Sequence, residues 1–454
     1  MKLFYKILLV FFYNYYLFSN TINENTFWIQ LKKILEDHPK INSQFLKLSL
    51  EIKNYHFAKR TYPDPKFGIM WKDAPYNKNF KLNMNRYEMS GIEYSLIQPI
   101  PTPGKLNQMA KIQQKEIEQE RLNLAMMYNQ FAKDIIKIIL DYHYDSEILN
   151  LLKDFQKKFE TLKETSKIRY STGSGNFSDY SKTLVLEKKI EQERINLENL
   201  IQTNEKKWEY YSSSLDYRDQ KIFNSTKEYI NYLYKNNKNL EEEIQNSVYL
   251  NFAKILPEIE KEKVSLQKFE YYPDFEIFFS YLKRERIKST IASEEEFLSS
   301  LNSPSGEDLM SFGIMFRIPL WSAISNPKKV NSIELAYQKE KENISEIYLN
   351  LKFKIQEIKI SILNLERQIE ISEKHLIPYA ELSYQSTLQN YTVGKVDFDS
   401  LIFSMQDLFE IQKDLIIKKR QWNNQIIEYL ELTNQILPEI QILNNPKEVP
   451  YENK

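Results

Sequence analysis

Residues 91–106 read Gly91-Ile92-Glu93-Tyr94-Ser95-Leu96-Ile97-Gln98-Pro99-Ile100-Pro101-Thr102-Pro103-Gly104-Lys105-Leu106. The stretch begins as a strand and closes in three prolines. Proline cannot donate to a sheet ladder, so a strand is expected over 91–98 and the proline cluster turns the chain toward a helix. From Leu106 to Tyr170 there is neither Pro nor Gly. An unbroken helix over that run would extend roughly 95 Å.

Upstream, Pro39 opens a helical run that closes at Tyr62-Pro63-Asp64. An alternating segment follows over 66–72, with Phe67, Ile69 and Trp71 on one face and Lys66, Gly68, Met70 and Lys72 on the other, the period of a strand. The whole succession recurs about 210 to 221 residues later. Pro257 is expected to open a shorter helical run, which closes at Tyr272-Pro273-Asp274. In the strand expected over 275–282, Phe275, Ile277, Phe279 and Tyr281 alternate with Glu276, Phe278, Ser280 and Leu282, and a second strand over 312–318 runs into Pro319-Leu320-Trp321. Each half therefore holds one β-hairpin. An isolated hairpin is at best marginally stable in water, so these four strands need partners, and an oligomer is expected.

The second long run, 328–391, is interrupted only by Pro378. Along it Ile344, Ile347, Leu351, Ile355, Ile358, Ile362, Leu365 and Ile369 step by three and four, the spacing of a coiled-coil seam. Each long run ends in a polar turn, Tyr170-Ser171-Thr172-Gly173-Ser174-Gly175-Asn176 in the first half and Tyr391-Thr392-Val393-Gly394-Lys395-Val396-Asp397 in the second. Helical pattern then resumes over 178–204 and 398–432. Two structural repeats are expected, 20–250 and 251–437, each a β-hairpin carrying a helical hairpin (about 106–204 and 328–432). An Asn-, Ser-, Lys- and Tyr-rich elaboration fills 205–240, and 438–454 is expected to be a loose polar tail.

Composition bounds the function. The chain has 454 residues, 42% hydrophobic and 14% aromatic, ample for a core. Lys+Arg 62 against Asp+Glu 62 leaves no net field to hold nucleic acid. Cysteine is absent, and the four histidines lack metal-ligand spacing, so disulfides, thiol chemistry and zinc motifs are excluded and no enzyme motif, cofactor site or metal site is expected. Asp141-Tyr142-His143-Tyr144-Asp145 reads as a polar stripe on a helix, because Asp141 and Asp145 are neighbours one turn apart with no further ligand in view. Gly104-Lys105 lacks the upstream Gly and following Ser or Thr of a phosphate loop. Eight glycines, far below the roughly 7% average usage, imply a mostly helical chain. Residues 1–19, with Lys2 and Lys6 before an apolar run, read as a secretory signal peptide. No later stretch reaches the ~18 apolar residues of a membrane-spanning helix. The exported chain is thus soluble or spans a membrane as a β-barrel, which hydropathy barely registers. Trp71, Phe275, Phe279, Tyr281 and Phe316, at strand positions, fit membrane-belt aromatics.

In the order, spacing and duplication of the Gln98–Leu106 motif, the Tyr-Pro-Asp approaches and the Tyr-x-x-Gly turns, the chain resembles the outer membrane efflux protein family, the channel tunnels typified by TolC. The resemblance covers about Pro39 to Leu432. It implies a mixed fold: a long α-helical coiled-coil barrel in the periplasm, continued by a transmembrane antiparallel β-barrel to which three chains each give four strands. It further implies an outer-membrane location and a passive homotrimeric exit duct rather than an enzyme, partnered by a periplasmic adaptor and an inner-membrane pump. The exit duct of a type I protein secretion system is the rival on the same fold, and an exported non-channel coiled-coil scaffold is the rival of another class.

By the same resemblance the periplasmic gate maps to Asp179, six residues past Gly173, and to Tyr391, three before Gly394, joined by a hydrogen bond as a latch. The family archetype adds an arginine two residues after the second glycine, where this chain has Val396. Its two ring aspartates correspond to Ser400 and Phe403, so Asp397 and Asp399 are candidates for a negative ring; they equally suit the start of a helix, where unsatisfied amides favour acids. Thr172, Gly173, Ser174, Val393, Gly394 and Lys395 match the tips against which the adaptor docks.

Overall fold

The computed structural model describes residues 26–60, 62–73, 90–173, 175–211, 217–235, 240–284 and 307–437. The expected signal peptide at 1–19, the tail at 438–454 and the tip residue Ser174 lie outside the described residues. In chain order the elements are α1 (Thr26–Asp37), α2 (Pro39–Arg60), β1 (Lys66–Lys72), β2 (Gly91–Ile100), α3 (Lys105–Ser171), α4 (Phe177–Tyr211), α5 (Gln220–Lys235), α6 (Leu240–Asn246) and α7 (Val248–Phe269). They continue with β3 (Asp274–Arg284), β4 (Leu309–Arg317), α8 (Leu320–Ile371), a π turn (Ser372–Leu376), α9 (Ile377–Thr392) and α10 (Phe398–Leu432). Two compact units share them: residues 48–119 with 255–342, and the described remainder.

The first unit holds the sheet. The two expected hairpins, β1-β2 and β3-β4, are joined inside the chain by antiparallel pairing of β2 with β3, giving one sheet of order β1-β2-β3-β4. Strand β2 outruns its expected end and includes Pro99, opposite Glu276. Its pairing with β1 stops at Ile97, so Pro99 sits where β2 has become an edge, the place a sheet tolerates proline.

The second unit is helical. Along α8 the predicted seam is observed: Leu351, Ile355, Ile358 and Ile362 are buried, packed in one cluster with Ile148, Leu152, Phe155, Leu401, Met405 and Phe409 of α3 and α10. Phe155 and Phe409 stack with ring centroids 4.6 Å apart. The opposite side of α8 exposes Leu349, Phe353, Ile360 and Leu363. Pro378 does not end this helical run. The chain widens into a π turn just ahead of it, with the Ile377 N–H donating to the Ser372 carbonyl, and such a widening relieves the clash between the proline ring and the preceding turn.

Two expectations about helices are corrected. Pro257 does not open its helix; it lies inside α7, which begins at Val248 because Val248, Leu250, Ala253 and Ile255 form a buried face strong enough to carry the run through the proline. The stretch 205–240 does not break the helical pattern throughout: α4 runs on to Tyr211, and α5 buries Ile222, Phe223, Tyr229, Ile230 and Leu233 on one side.

The Asp141–Asp145 stripe ties this unit together. Asp145 accepts from Arg420 at 2.7 Å and from Asn204 at 3.3 Å, and Asn423 donates to the Tyr144 hydroxyl at 2.7 Å. His143 bonds the Tyr217 carbonyl at 3.0 Å and stacks on Phe223. Burial holds the His143 imidazole below its ordinary pKa. The unfolded chain therefore takes up a proton near pH 6.5 before the folded one does, and this contribution to stability falls as pH drops below that value. His143→Gln keeps a donor and removes the titration. Its melting temperature is expected to change less than the parent's between about pH 7.5 and 5.5, and an identical pH dependence would show that His143 does not carry the effect.

Candidate functional site

The register of the sheet sorts its residues by face. Phe67, Leu96, Phe279 and Phe312 stand opposite one another across all four strands, as do Ile69, Tyr94, Tyr281 and Met310. One residue over, the matching row is Gly68, Ser95, Ser280 and Ser311. One face is thus a field of large apolar and aromatic groups, and the other is mixed, with this small row and Lys66, Glu93 and Glu276 set among Met70, Ile97, Phe278, Leu282 and Met315. The apolar row is open, with Phe67 65% and Phe312 87% exposed. Contiguous apolar surface of this kind is not stable against water and marks a contact with lipid or protein. Trp71, Phe275, Phe279, Tyr281 and Phe316, the proposed belt aromatics, all fall on this apolar face, with Phe275 edge-on to Phe316.

Where the strands hand over to helices, the two repeats are stitched together. Asp274, the last residue of the second Tyr-Pro-Asp, accepts from the Thr102 N–H at 2.8 Å, the Thr102 hydroxyl at 3.0 Å and Lys105 Nζ at 3.2 Å, and Lys105 also pairs with Glu270 at 3.0 Å. The Pro101-Thr102-Pro103-Gly104-Lys105 motif of the first repeat is therefore the receptor for the Tyr-Pro-Asp of the second. Asp274→Ala leaves Thr102 and Lys105 without this acceptor and is expected to lower stability by about 2 kcal/mol, read as a drop in the denaturant midpoint; an unchanged midpoint would mean the stitch is dispensable.

In the helical unit both polar turns close with glycine at positive φ, +74° at Gly173 and +76° at Gly394. At the second, Lys395 N–H reaches the Asn390 carbonyl and Gly394 N–H the Tyr391 carbonyl, a Schellman cap that requires the left-handed backbone. No other group lies within 4 Å of where a side chain on either glycine would begin, so the turn geometry and not crowding calls for glycine.

The turns flank a polar cavity of about 320 Å³ whose wall includes Arg169, Gly173, Asp179, Tyr391, Gly394 and Asp397. Arg169 Nη1 donates to the Tyr391 hydroxyl at 2.8 Å, and its guanidinium lies 5.3 Å from the ring centroid. Tyr391 packs in turn on Phe398. Asp397 caps α10, accepting from the Ser400 N–H at 2.9 Å; hydrogen bonds from the Ser400 hydroxyl and N–H hold its carboxyl below the usual range. Asp399 pairs with Lys182 of α4, and that bond raises the lysine's pKa. Among the described residues, no group of carboxylates and histidines is arranged to hold a metal ion.

No family model and no curated protein matches the sequence. Among solved structures the chain is similar to the outer-membrane channel OprN, with a TM-score of 0.72 at 8% identity over 91% of each chain. It is similar to the outer membrane protein VceC of Vibrio cholerae, TM-score 0.68 at 11% identity over 90% of this chain and 98% of that one. The Campylobacter jejuni CmeC outer membrane channel gives 0.68 at 10% identity over 92% and 91%. The chain has the TolC-like outer-membrane efflux protein fold.

Within this efflux-protein fold the tip residues read from the sequence fall into two groups. Asp179, Tyr391, Asp397, Gly173 and Gly394 meet at one cavity, and Val396 is part of its wall. Asp399 lies beside it, paired with Lys182. Thr172 bonds back to the Ile168 carbonyl at 2.9 Å, and Val393 is 66% exposed. Among the described residues, Tyr391 and Asp179 are not hydrogen-bonded to each other; Arg169 donates to the tyrosine hydroxyl instead. Sequence reasoning missed Arg169 and Lys182. The available signal was positional: Arg169 precedes Gly173 by one helical turn, and Lys182 follows Asp179 by three residues.

Proposed function

We propose that the protein is the passive outer-membrane exit duct of a tripartite efflux system, working as a homotrimer. The observation that carries this reading is the sheet: a continuous aromatic and apolar face opposite a mixed face that holds the glycine-serine row and the charged residues, on four strands whose outer edges, β1 and β4, have no partner strand among the described residues. Lipid permits no open sheet edge, so these edges must close against copies of the chain, with the aromatic face outward and the face that carries Lys66, Glu93 and Glu276 toward water. The exposed apolar side of α8 calls for neighbours of the same kind. Among the described residues no helix is long and apolar enough to cross a membrane.

In this reading the turns around Gly173 and Gly394, with Thr172, Ser174, Val393 and Lys395, meet a periplasmic adaptor, which couples the duct to an inner-membrane pump supplying the energy. The cavity between the turns, with Asp179, Tyr391, Asp397 and Asp399, is the gate. The deciding experiment is extraction and reconstitution. A detergent-extracted trimer should conduct ions in planar bilayers; a water-soluble monomer that keeps its sheet would end the proposal.

A further inference from the structure

We infer that Arg169 is the residue that holds the gate closed, by clamping the second hairpin's Tyr391 to the first hairpin. The inference rests on the exit-duct reading and deepens it, assigning the control of that gate to a residue outside the expected tip set. Arg169 belongs to α3 and Tyr391 to α9, so their bond joins the two hairpins across 222 residues of sequence. One cation makes two contacts to one side chain: a hydrogen bond to the hydroxyl at 2.8 Å and an approach to the ring at 5.3 Å. Both are attractive, and the planar guanidinium suits both at once. A second link runs the same way, from Lys182 of the first hairpin to Asp399 of the second.

The chemistry of the links is therefore polarised. At these two tip links the first hairpin supplies the cation and the second the acceptor, whereas farther along the helices Lys413 and Arg420 of the second hairpin pair with Glu193 and Asp145 of the first. Movement of the second hairpin away from the first breaks both links together and leaves Tyr391 and Asp399 on the moving part. Both links are exposed, and a lone ion pair such as Lys182–Asp399 contributes little; the Arg169 clamp adds its ring contact and reaches the cavity wall that Asp179 and Asp397 share. Arg169 is thus the positioning residue for Tyr391, and with Val396 at the place of the archetype's tip arginine, the positive charge of the cavity comes from the first hairpin instead.

The test uses the full-length trimer in planar bilayers, with Arg169→Gln, Tyr391→Leu and the double variant beside the parent. Loss of one charge-assisted contact is expected to raise the ratio of open to closed time by about fivefold in Arg169→Gln. Arg169→Lys, which keeps the charge but not the fork, should fall between this variant and the parent. The double variant should open no more than the stronger single one, because both changes remove the same bond. A parent trimer that conducts while Arg169→Gln gates as the parent does overturns the clamp and leaves the exit-duct reading standing, as does an additive double variant. Absence of conductance from the parent overturns the exit-duct reading itself. Thermal unfolding of Arg169→Gln is expected to match the parent, which separates control of gating from a general loss of structure.

Discussion

On the exit-duct reading, Phe279→Arg is expected to reduce folded protein in the outer membrane by about a hundredfold. The residue lies mid-strand in β3, in the row that also holds Phe67, Leu96 and Phe312, and that row belongs to the aromatic face. An arginine facing lipid near the bilayer midplane costs about 2–4 kcal/mol per chain, and about 2.7 kcal/mol is a hundredfold change in an equilibrium. The control is Ser311→Arg, in the row of Gly68, Ser95 and Ser280 on the opposite face. A charge there meets water in the proposed lumen and should leave yield intact while altering conductance. Immunoblots of detergent-extracted membranes measure both variants. Equal losses would show that the two faces do not meet different media, and the assignment of lipid and water to them would fail.

The second large effect lies in the helical unit. Arg420→Met removes the cation that meets Asp145, a carboxylate whose side chain is 4% exposed. Breaking one partner of a buried pair costs about 3–5 kcal/mol, because the charge left behind keeps its desolvation penalty. Burial already pushes the Asp145 carboxyl up, with Arg420 opposing that push, and Asp141 nearby is raised by the same cause. Without the arginine the folded-state pKa rises further. A raised carboxyl favours the folded state at low pH, and that advantage is lost as pH rises through the folded value. The variant should therefore lose most stability near neutral pH and regain part of it under mild acid. Adding Asp145→Asn should recover much of the loss at neutral pH. Denaturant midpoints across pH check this, and a loss that is independent of pH and of Asp145 would place the effect in packing alone.

Much of the fold was legible because it is written in short-range patterns. The alternation of Phe67, Ile69 and Trp71, the proline cluster after Gln98, the seam from Ile344 to Ile369 and the glycine turns each declare an element within a few residues. What escaped was decided by contacts distant in sequence. Helix α5 looks like a polar interruption until Ile222, Tyr229 and Ile230 find a core to enter. Pro257 looks like a helix start until the buried face before it is counted. At the tips the residue types of the expected latch were visible, but a donor 222 positions away from Tyr391 has no local signature. The stitch between Thr102, Lys105 and Asp274 escaped for the same reason, although each of its two motifs is legible by itself.

The π turn before Pro378 carries a further consequence for the far end of its helix. The inward side of the run passes through Ile362, Leu365, Ser372, Ile377, Ala380, Tyr384 and Tyr391, and the step from Ser372 to Ile377 is one residue longer than an α-helix needs. A surplus residue in a regular helix would rotate everything beyond it by about 100°. The wide turn absorbs that surplus, so the compass bearing of Tyr391 is set well upstream of the tip. Straightening the turn would swing the tyrosine ring away from Arg169 without altering either residue, whereas deleting one residue from 373–376 together with Pro378→Ala would restore its heading.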